Sequence, residues 1–122
     1  MPLYTAVSQE GFLSDETKTR VAQEITRIHC DIMKVPQQFV RVIFLSYPQG
    51  SGFTAGQEAP TVCLNCVFRT GHAAEQKTEL LEQLRSMFQG LTGVATEQLA
   101  ISLQEILSQN AMELGQIMKP VG

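Results

Sequence analysis

A β-α-β pattern that occurs twice constrains this chain more than any other feature of its sequence. The second copy follows the first at an offset of 59 residues, so that Glu16 and Lys18 recur as Glu75 and Lys77. The same offset pairs Val21 with Leu80, Ile25 with Leu84, Val35 with Val94, Val40 with Leu99, Val42 with Ile101, and Pro2 with Thr61. We interpret this as an internal duplication, with half-repeats at about 2–48 and 61–107 in a single domain of residues 1–122.

Hydrophobic periodicity predicts where the main elements lie. Alternating or β-branched runs predict strands at 2–8, 39–47, 61–69 and 98–105, and apolar residues at helical spacing predict helices at 14–33 and 73–91. Ser14 suits an N-cap, Pro36 ends the first helical region, and the glycine-rich loop at 48–60 has room for a small hairpin.

The duplication has a consequence for the sheet. Crossovers between parallel strands are right-handed, so two β-α-β units related by a pseudo-two-fold axis in one sheet place both helices on the same face. The third and fourth predicted strands carry apolar residues on both faces. We therefore expect an α+β (α/β) protein that is oligomeric and covers its helix-free sheet face with another copy.

Composition excludes several classes of function. With a net charge of -3, a pI near 5.3 and 17% charged residues, the chain is a poor non-specific nucleic-acid binder. No apolar run approaches the length of a membrane span, and the first ten residues lack a basic signal region. We expect a cytoplasmic protein with no nucleic-acid or membrane partner.

Three cysteines, an odd number, favour a reducing compartment. Cys63 and Cys66 form a C-x-x-C motif, but they lie in the middle of a predicted strand, where they point to opposite faces. A zinc site needs about four ligands, and no second pair is present. We predict no metal site, and we interpret both as buried apolar cysteines.

The residue at position 2 is proline. The initiator methionine is usually trimmed before a small residue, which would give Pro2 a free secondary amine. An α-amino group ordinarily has a pKa of about 7.7 to 8.0, a secondary amine starts higher, and apolar surroundings with a nearby cation lower it toward neutrality. Such an amine can act as a base or an acid. The alternative is that proline at the start site has no function.

A doubled β-α-β chain that starts at proline resembles the tautomerase superfamily, most closely its cis-3-chloroacrylic acid dehalogenase group. The resemblance covers nearly the whole chain and depends on Pro2, on His29 in ITRIHCDIM, on the run from GSGFTAG to Arg69, and on Glu113 in AMELGQ. It implies a four-stranded mixed sheet with two helices on one face, a homotrimer, and catalysis without a cofactor.

The resemblance also implies roles for single residues. Pro2 matches the catalytic imino group, and His29 matches a histidine that binds or polarises the substrate carboxylate or carbonyl. Arg69 matches the first of two carboxylate-binding arginines, and Glu113 matches the carboxylate that activates water in the dehalogenases. Without the resemblance, His29 would be a border residue of its helix, Arg69 a solvated strand end, and Glu113 a surface acid.

Two positions depart from the pattern of the dehalogenases. His72 stands at the second arginine, where it could hold a carboxylate weakly when protonated or simply open the second helix. Ser102 stands at the water-activating tyrosine. Tyr4 and Phe53 are candidate pocket walls, with ordinary packing as the alternative. Arg41, inside an apolar strand, reaches either a pocket or an intersubunit ion pair.

The resulting hypothesis is an enol–keto tautomerase for small 2-oxo acids that uses Pro2 as general base and acid. Its partner is a small-molecule carboxylate substrate. One alternative is a cis-3-haloacrylate dehalogenase or hydratase, which the departures at His72 and Ser102 disfavour. A second alternative is a binding module without catalysis, similar to the migration inhibitory factor group.

Overall fold

The computed structural model describes residues 1–119, so the last three residues of the predicted domain lie outside the described residues. The elements in chain order are β1 Leu3–Gln9, α1 Asp15–Met33, β2 Arg41–Tyr47, β3 Phe53–Thr54, β4 Gln57–Glu58, β5 Val62–Arg69, α2 Ala74–Thr92, β6 Leu99–Ile106, β7 Met112–Glu113 and β8 Gln116–Ile117. Single 3₁₀ turns at Gln37–Phe39, Thr96–Gln98 and Ser108–Asn110 connect them.

Four of these strands form one mixed sheet in the order β2-β1-β5-β6. The outer pairs, β1 with β2 and β5 with β6, are parallel, whereas the central pair of β1 and β5 is antiparallel. The β3–β4 and β7–β8 pairs are separate small hairpins. The predicted α+β fold, a duplicated β-α-β unit in a four-stranded mixed sheet, is confirmed.

The core lies between the two helices and one face of the sheet. Alternate residues of β1 and β5 point into it, among them Tyr4 and Leu64, and both helices add an apolar stripe that includes Ile25 and Leu84. The N-cap prediction is confirmed, because the Ser14 hydroxyl accepts a hydrogen bond from the Thr17 backbone N–H at 3.1 Å. Both helices therefore share one face of the sheet.

The predicted offset holds for the helices but not for the first strand of each half. Helices α1 and α2 are 59 residues apart, whereas the loop before α2 is one residue shorter than the loop before α1. The register shows the shift, since Leu3 pairs with Arg41 and Cys63 pairs with Ala100. Pro2 therefore corresponds to Val62, and the predicted match of Pro2 with Thr61 is wrong by one residue.

The repeat also extends beyond the predicted half-repeats at 2–48 and 61–107. The two hairpins are 59 residues apart and have the same turn. Ala55 and Leu114 both have a φ of 53°, and the glycines that follow, Gly56 and Gly115, have φ values of 77° and 75°. Left-handed φ values at matched positions indicate that both hairpins belong to the duplication.

Two local expectations need correction. The second strand begins at Arg41 rather than at residue 39, because a 3₁₀ turn occupies Gln37–Phe39. Cys63 and Cys66 do point to opposite faces, but only Cys66 is buried, whereas Cys63 is exposed. Cys63 lies on the sheet face that the helices leave uncovered, where Ile43 and Leu45 are also about half exposed.

Within residues 1–119, no helix is both long and apolar enough to cross a membrane.

Candidate active site

A cavity of about 260 Å³ opens where the chain start, the C-terminal end of α1 and the loop after β5 meet. His29 and Lys34 line it from α1, and Phe68, Arg69 and His72 line it from the end of β5 and the loop that follows. Antiparallel pairing of β1 with β5 produces this meeting, because it brings the end of β5 beside the start of β1.

His29 is buried in the core rather than at the border of the helix, with 1% of its surface exposed. The Tyr4 hydroxyl lies 2.7 Å from His29 Nδ1, and the Phe68 ring meets the imidazole edge-on. Burial lowers the pKa of His29 to about 4, helped by the nearby His72 and the chain's amino group. His29 is therefore neutral at neutral pH.

Tyr4 remains a phenol, because burial raises its pKa. Its hydrogen bond to Nδ1 leaves Nε2 as the imidazole nitrogen without a protein partner among the described residues. Tyr4 itself does not line the cavity, and it acts there through the orientation of His29. The predicted pocket residue Tyr4 is thus placed behind His29.

The amino group of the chain lies at the cavity with a carboxylate beside it. The Met1 amine contacts Glu113 Oε1, and Arg41 Nη1 lies 3.9 Å from Glu113 Oε2. Burial lowers the pKa of this amine to about 6, and the guanidiniums of Arg69 and Arg41 act in the same direction. Glu113 opposes them by stabilising the charged amine. Pro2, next to Met1, is fully buried.

Glu113 is 6% exposed, and it reaches the chain start because β7 belongs to the second hairpin. Its two oxygens make ionic contacts but no hydrogen bond that satisfies them. A buried carboxylate in this state is unusual, since buried charges are normally both paired and hydrogen-bonded. The structure therefore brings the predicted residues Glu113 and Arg41 together at the chain start.

The loop after β5 holds two basic side chains at the cavity. Arg69 Nη1 donates a hydrogen bond to the Lys119 carbonyl at 2.6 Å. His72 packs on Phe68 with ring centroids 5.7 Å apart, and burial lowers its pKa. Gln76 ties this loop to α1, because its amide accepts from the Ala73 N–H at 2.8 Å and donates to the Ile32 carbonyl at 3.1 Å.

Two predicted pocket residues lie elsewhere in the single chain. Phe53 is 60% exposed at the start of the β3–β4 hairpin. Ser102 donates a hydrogen bond to Asn65 Oδ1 at 2.8 Å on the uncovered sheet face. One cavity residue, Lys34, was missed, because the sequence gives no sign that the helix ends beside the cavity.

The geometry combines an amine of lowered pKa, a neutral imidazole and a guanidinium on one small cavity. A guanidinium holds a carboxylate, and an amine that titrates near neutrality moves protons. Among residues 1–119, no group of three or more His, Cys, Asp or Glu side chains is placed to hold a metal ion. The site has the components of general acid–base chemistry on a small organic anion.

This fold and this site define the class of protein as a tautomerase. The family described as "Putative oxalocrotonate tautomerase enzyme" matches residues 1–119, and the chain belongs to that family of the tautomerase superfamily. The comparison with curated proteins gave no match.

Solved structures agree with the expected group. N1, a member of the cis-3-chloroacrylic acid dehalogenase family, is 34% identical with a TM-score of 0.91, covering 96% of this chain and 83% of its own. Pt0534, solved after inactivation by 2-oxo-3-pentynoate, is 25% identical with a TM-score of 0.87, covering 95% and 94%. A fused 4-OT in a symmetric trimer is 18% identical with a TM-score of 0.87, covering 95% and 94%, and shares the fold. The resemblance to the superfamily and to this group is confirmed.

Proposed function

We propose that the protein is an enol–keto tautomerase for small 2-oxo acids, with the amine of Pro2 as its general base and acid. The proposal depends most on one observation, the amino group of lowered pKa that shares a cavity with Arg69 and neutral His29. It requires removal of Met1, since the Pro2 nitrogen is otherwise an amide. A secondary amine starts from a higher pKa, and the same surroundings lower it.

In the proposed reaction, Arg69 holds the substrate carboxylate through its planar guanidinium. The neutral Pro2 amine takes the proton from the enol hydroxyl and delivers a proton to the neighbouring carbon, which gives the 2-oxo acid. His29 Nε2 contacts the oxygen at which charge develops, and Tyr4 holds the ring in place. These steps transfer only protons and need no metal or organic cofactor.

The test compares the loss of the enol of phenylpyruvate, followed by ultraviolet absorbance, in the wild type and in Pro2→Ala. We expect kcat/KM to fall by about 10²–10⁴-fold, the usual contribution of general acid–base catalysis. Pro48→Ala, in an exposed loop, is the matched control and should retain wild-type rates. Equal rates in Pro2→Ala, or retention of Met1 in the intact mass of active protein, would rule out the proline mechanism.

A second candidate is hydration or dehalogenation of a cis-3-haloacrylate, favoured by the buried carboxylate of Glu113 beside the chain start. N1 belongs to the dehalogenase family, which adds support. His72 and Ser102 replace two groups of the dehalogenase pattern, so we expect halide release from cis-3-chloroacrylate to be much slower than tautomerisation. Faster halide release would reverse the order of the two candidates.

We also propose that the protein assembles as a homotrimer through the uncovered sheet face. Ile43 and Leu45 expose about half of their surface there, more than an isolated sheet normally leaves in water. The fused 4-OT structures of the same fold are trimers. Light scattering on the eluted protein should give three times the chain mass, and Leu45→Lys should lower that mass toward a single chain.

A further inference from the structure

Lys34 ends helix α1 in a left-handed backbone conformation, with φ 56° and ψ 45°. Its backbone N–H donates to the Cys30 carbonyl, which is the bond that closes the helix. Glycine is the usual residue in this conformation, because a side chain strains it. The second half has glycine at the matched position, Gly93, with φ 72° and ψ 13°. The first half therefore retains a strained lysine where its repeat has an unstrained glycine.

The difference coincides with the cavity. Lys34 lines it, and Arg69 is the other lining side chain that carries a lasting positive charge. Within residues 1–119, no aspartate or glutamate lines the cavity, and its two histidines have lowered pKa values, so they contribute little charge at neutral pH. In the same part of the chain the Lys34 ammonium has neither an ion pair nor a hydrogen bond.

We propose that Lys34 is a substrate-binding residue that supplies, with Arg69, the second cation for the carboxylate of the substrate. The strain at the end of α1 is then retained because it places an ammonium at the cavity wall. An exposed lysine reaches such a ligand at low cost, since its stem is long and its head stays partly in water. This inference rests on the proposed function for its kinetic test but not for its binding test.

The kinetic test uses phenylpyruvate and four variants. Lys34→Met keeps the stem and the backbone strain but removes the charge, and should raise KM roughly tenfold while kcat changes by less than about twofold. Lys34→Arg should restore most of the affinity. Lys34→Gly should raise KM like Lys34→Met and also raise the thermal midpoint by ~2–5 °C, because the strain is gone.

Gly93→Lys is the matched control, since it creates the same strained lysine at the helix end that has no cavity. A side chain has space there, because nothing lies within 4 Å of the point that a Cβ on Gly93 would occupy. Gly93→Lys should lower the thermal midpoint and leave KM unchanged. An unchanged KM in Lys34→Met, or a raised KM in Gly93→Lys, would overturn the assignment of Lys34.

A binding measurement separates this inference from the catalytic proposal. The unreactive analogue 3-phenylpropionate should raise the thermal midpoint of the wild type, and the upshift should be clearly smaller in Lys34→Met. That result supports Lys34 even where Pro2→Ala retains full activity and the proposed mechanism fails. An equal upshift in both proteins, or no upshift in the wild type, would overturn the inference.

Discussion

The two ends of this duplicated molecule have the same backbone, but only one end carries a candidate site. At the site, α1 buries His29 beside the Tyr4 hydroxyl. At the matched end, α2 buries Phe88, and the strand residue that corresponds to Tyr4 is Leu64. One end thus encloses a hydrogen-bonded polar pair, and the other encloses hydrocarbon.

The hairpins differ in the same way. Glu113 turns its carboxylate to the chain start, whereas its counterpart Thr54 donates a hydrogen bond to Gln98 at 2.8 Å. Pro2 corresponds to Val62, which lies inside the chain and has no amine to offer. A duplicated scaffold therefore has one place for amine chemistry, and a few substitutions around the other end close it with ordinary packing.

The largest effect is expected from making the filled end polar with Phe88→His. The new imidazole would be fully buried without a partner, because Leu64 stands where the site end has a phenol. We expect a loss of roughly 4 kcal/mol in the free energy of unfolding at pH 8, measured with urea. Phe88→Leu, which only removes volume, should lose about 1 kcal/mol. Equal losses would mean that Tyr4 is not what makes a histidine tolerable at the site end.

The reverse change, His29→Phe, should alter how stability depends on pH. The folded pKa of His29 is about 4, below the ordinary 6.5. Its stability contribution is therefore complete above pH 6.5 and is lost as the pH falls toward 4, because the unfolded chain binds the proton first. The loss amounts to roughly 3 kcal/mol.

We expect His29→Phe to lack this part of the acid destabilisation and to lose tautomerase activity by about tenfold or more. Urea unfolding of both proteins at pH 7.5 and pH 4.5, at one protein concentration, measures the first effect. His72→Gln, at a less buried histidine, is the control and should change the pH dependence less. Parallel pH curves for the wild type and His29→Phe would contradict the lowered pKa.

Periodicity predicted the architecture because every main element has a strong apolar repeat, and the structure confirms all six. It could not predict the register of β1, since a one-residue difference between two loops leaves no apolar signal. For the site, His29 and Arg69 followed from the family resemblance, and the structure places both at the cavity. Lys34 was missed because its place depends on where α1 ends relative to β5, which is a tertiary property.

Phe53 and Ser102 show the other limit of the sequence. Both were matched to the family by alignment, which carries no information on whether one chain brings them to its own cavity. In the single chain, Phe53 lies on an exposed hairpin and Ser102 on the uncovered face of the sheet. Only an assembly could bring either residue to a cavity, and an alignment of one sequence does not describe an assembly.

The smallest effect comes from a pair of contacts at the hairpin entry. In the first half, Tyr47 packs over Gly52 so closely that a Cβ on Gly52 would lie 2.5 Å from the tyrosine ring and hydroxyl. That hydroxyl donates to the Thr61 carbonyl at 2.7 Å. At the matched positions the second half has Ile106 and Ala111, so a smaller side chain accompanies the added methyl group.

We expect Gly52→Ala to cost about 1.5 kcal/mol, because Tyr47 must move and its hydrogen bond is lost. The double variant Tyr47→Ile with Gly52→Ala copies the second half and should recover about 1 kcal/mol of the summed single losses, a coupling that urea unfolding of the four proteins measures. Additive losses would show that the two halves settled this contact independently, in which case Gly52 is small for a reason other than the ring above it.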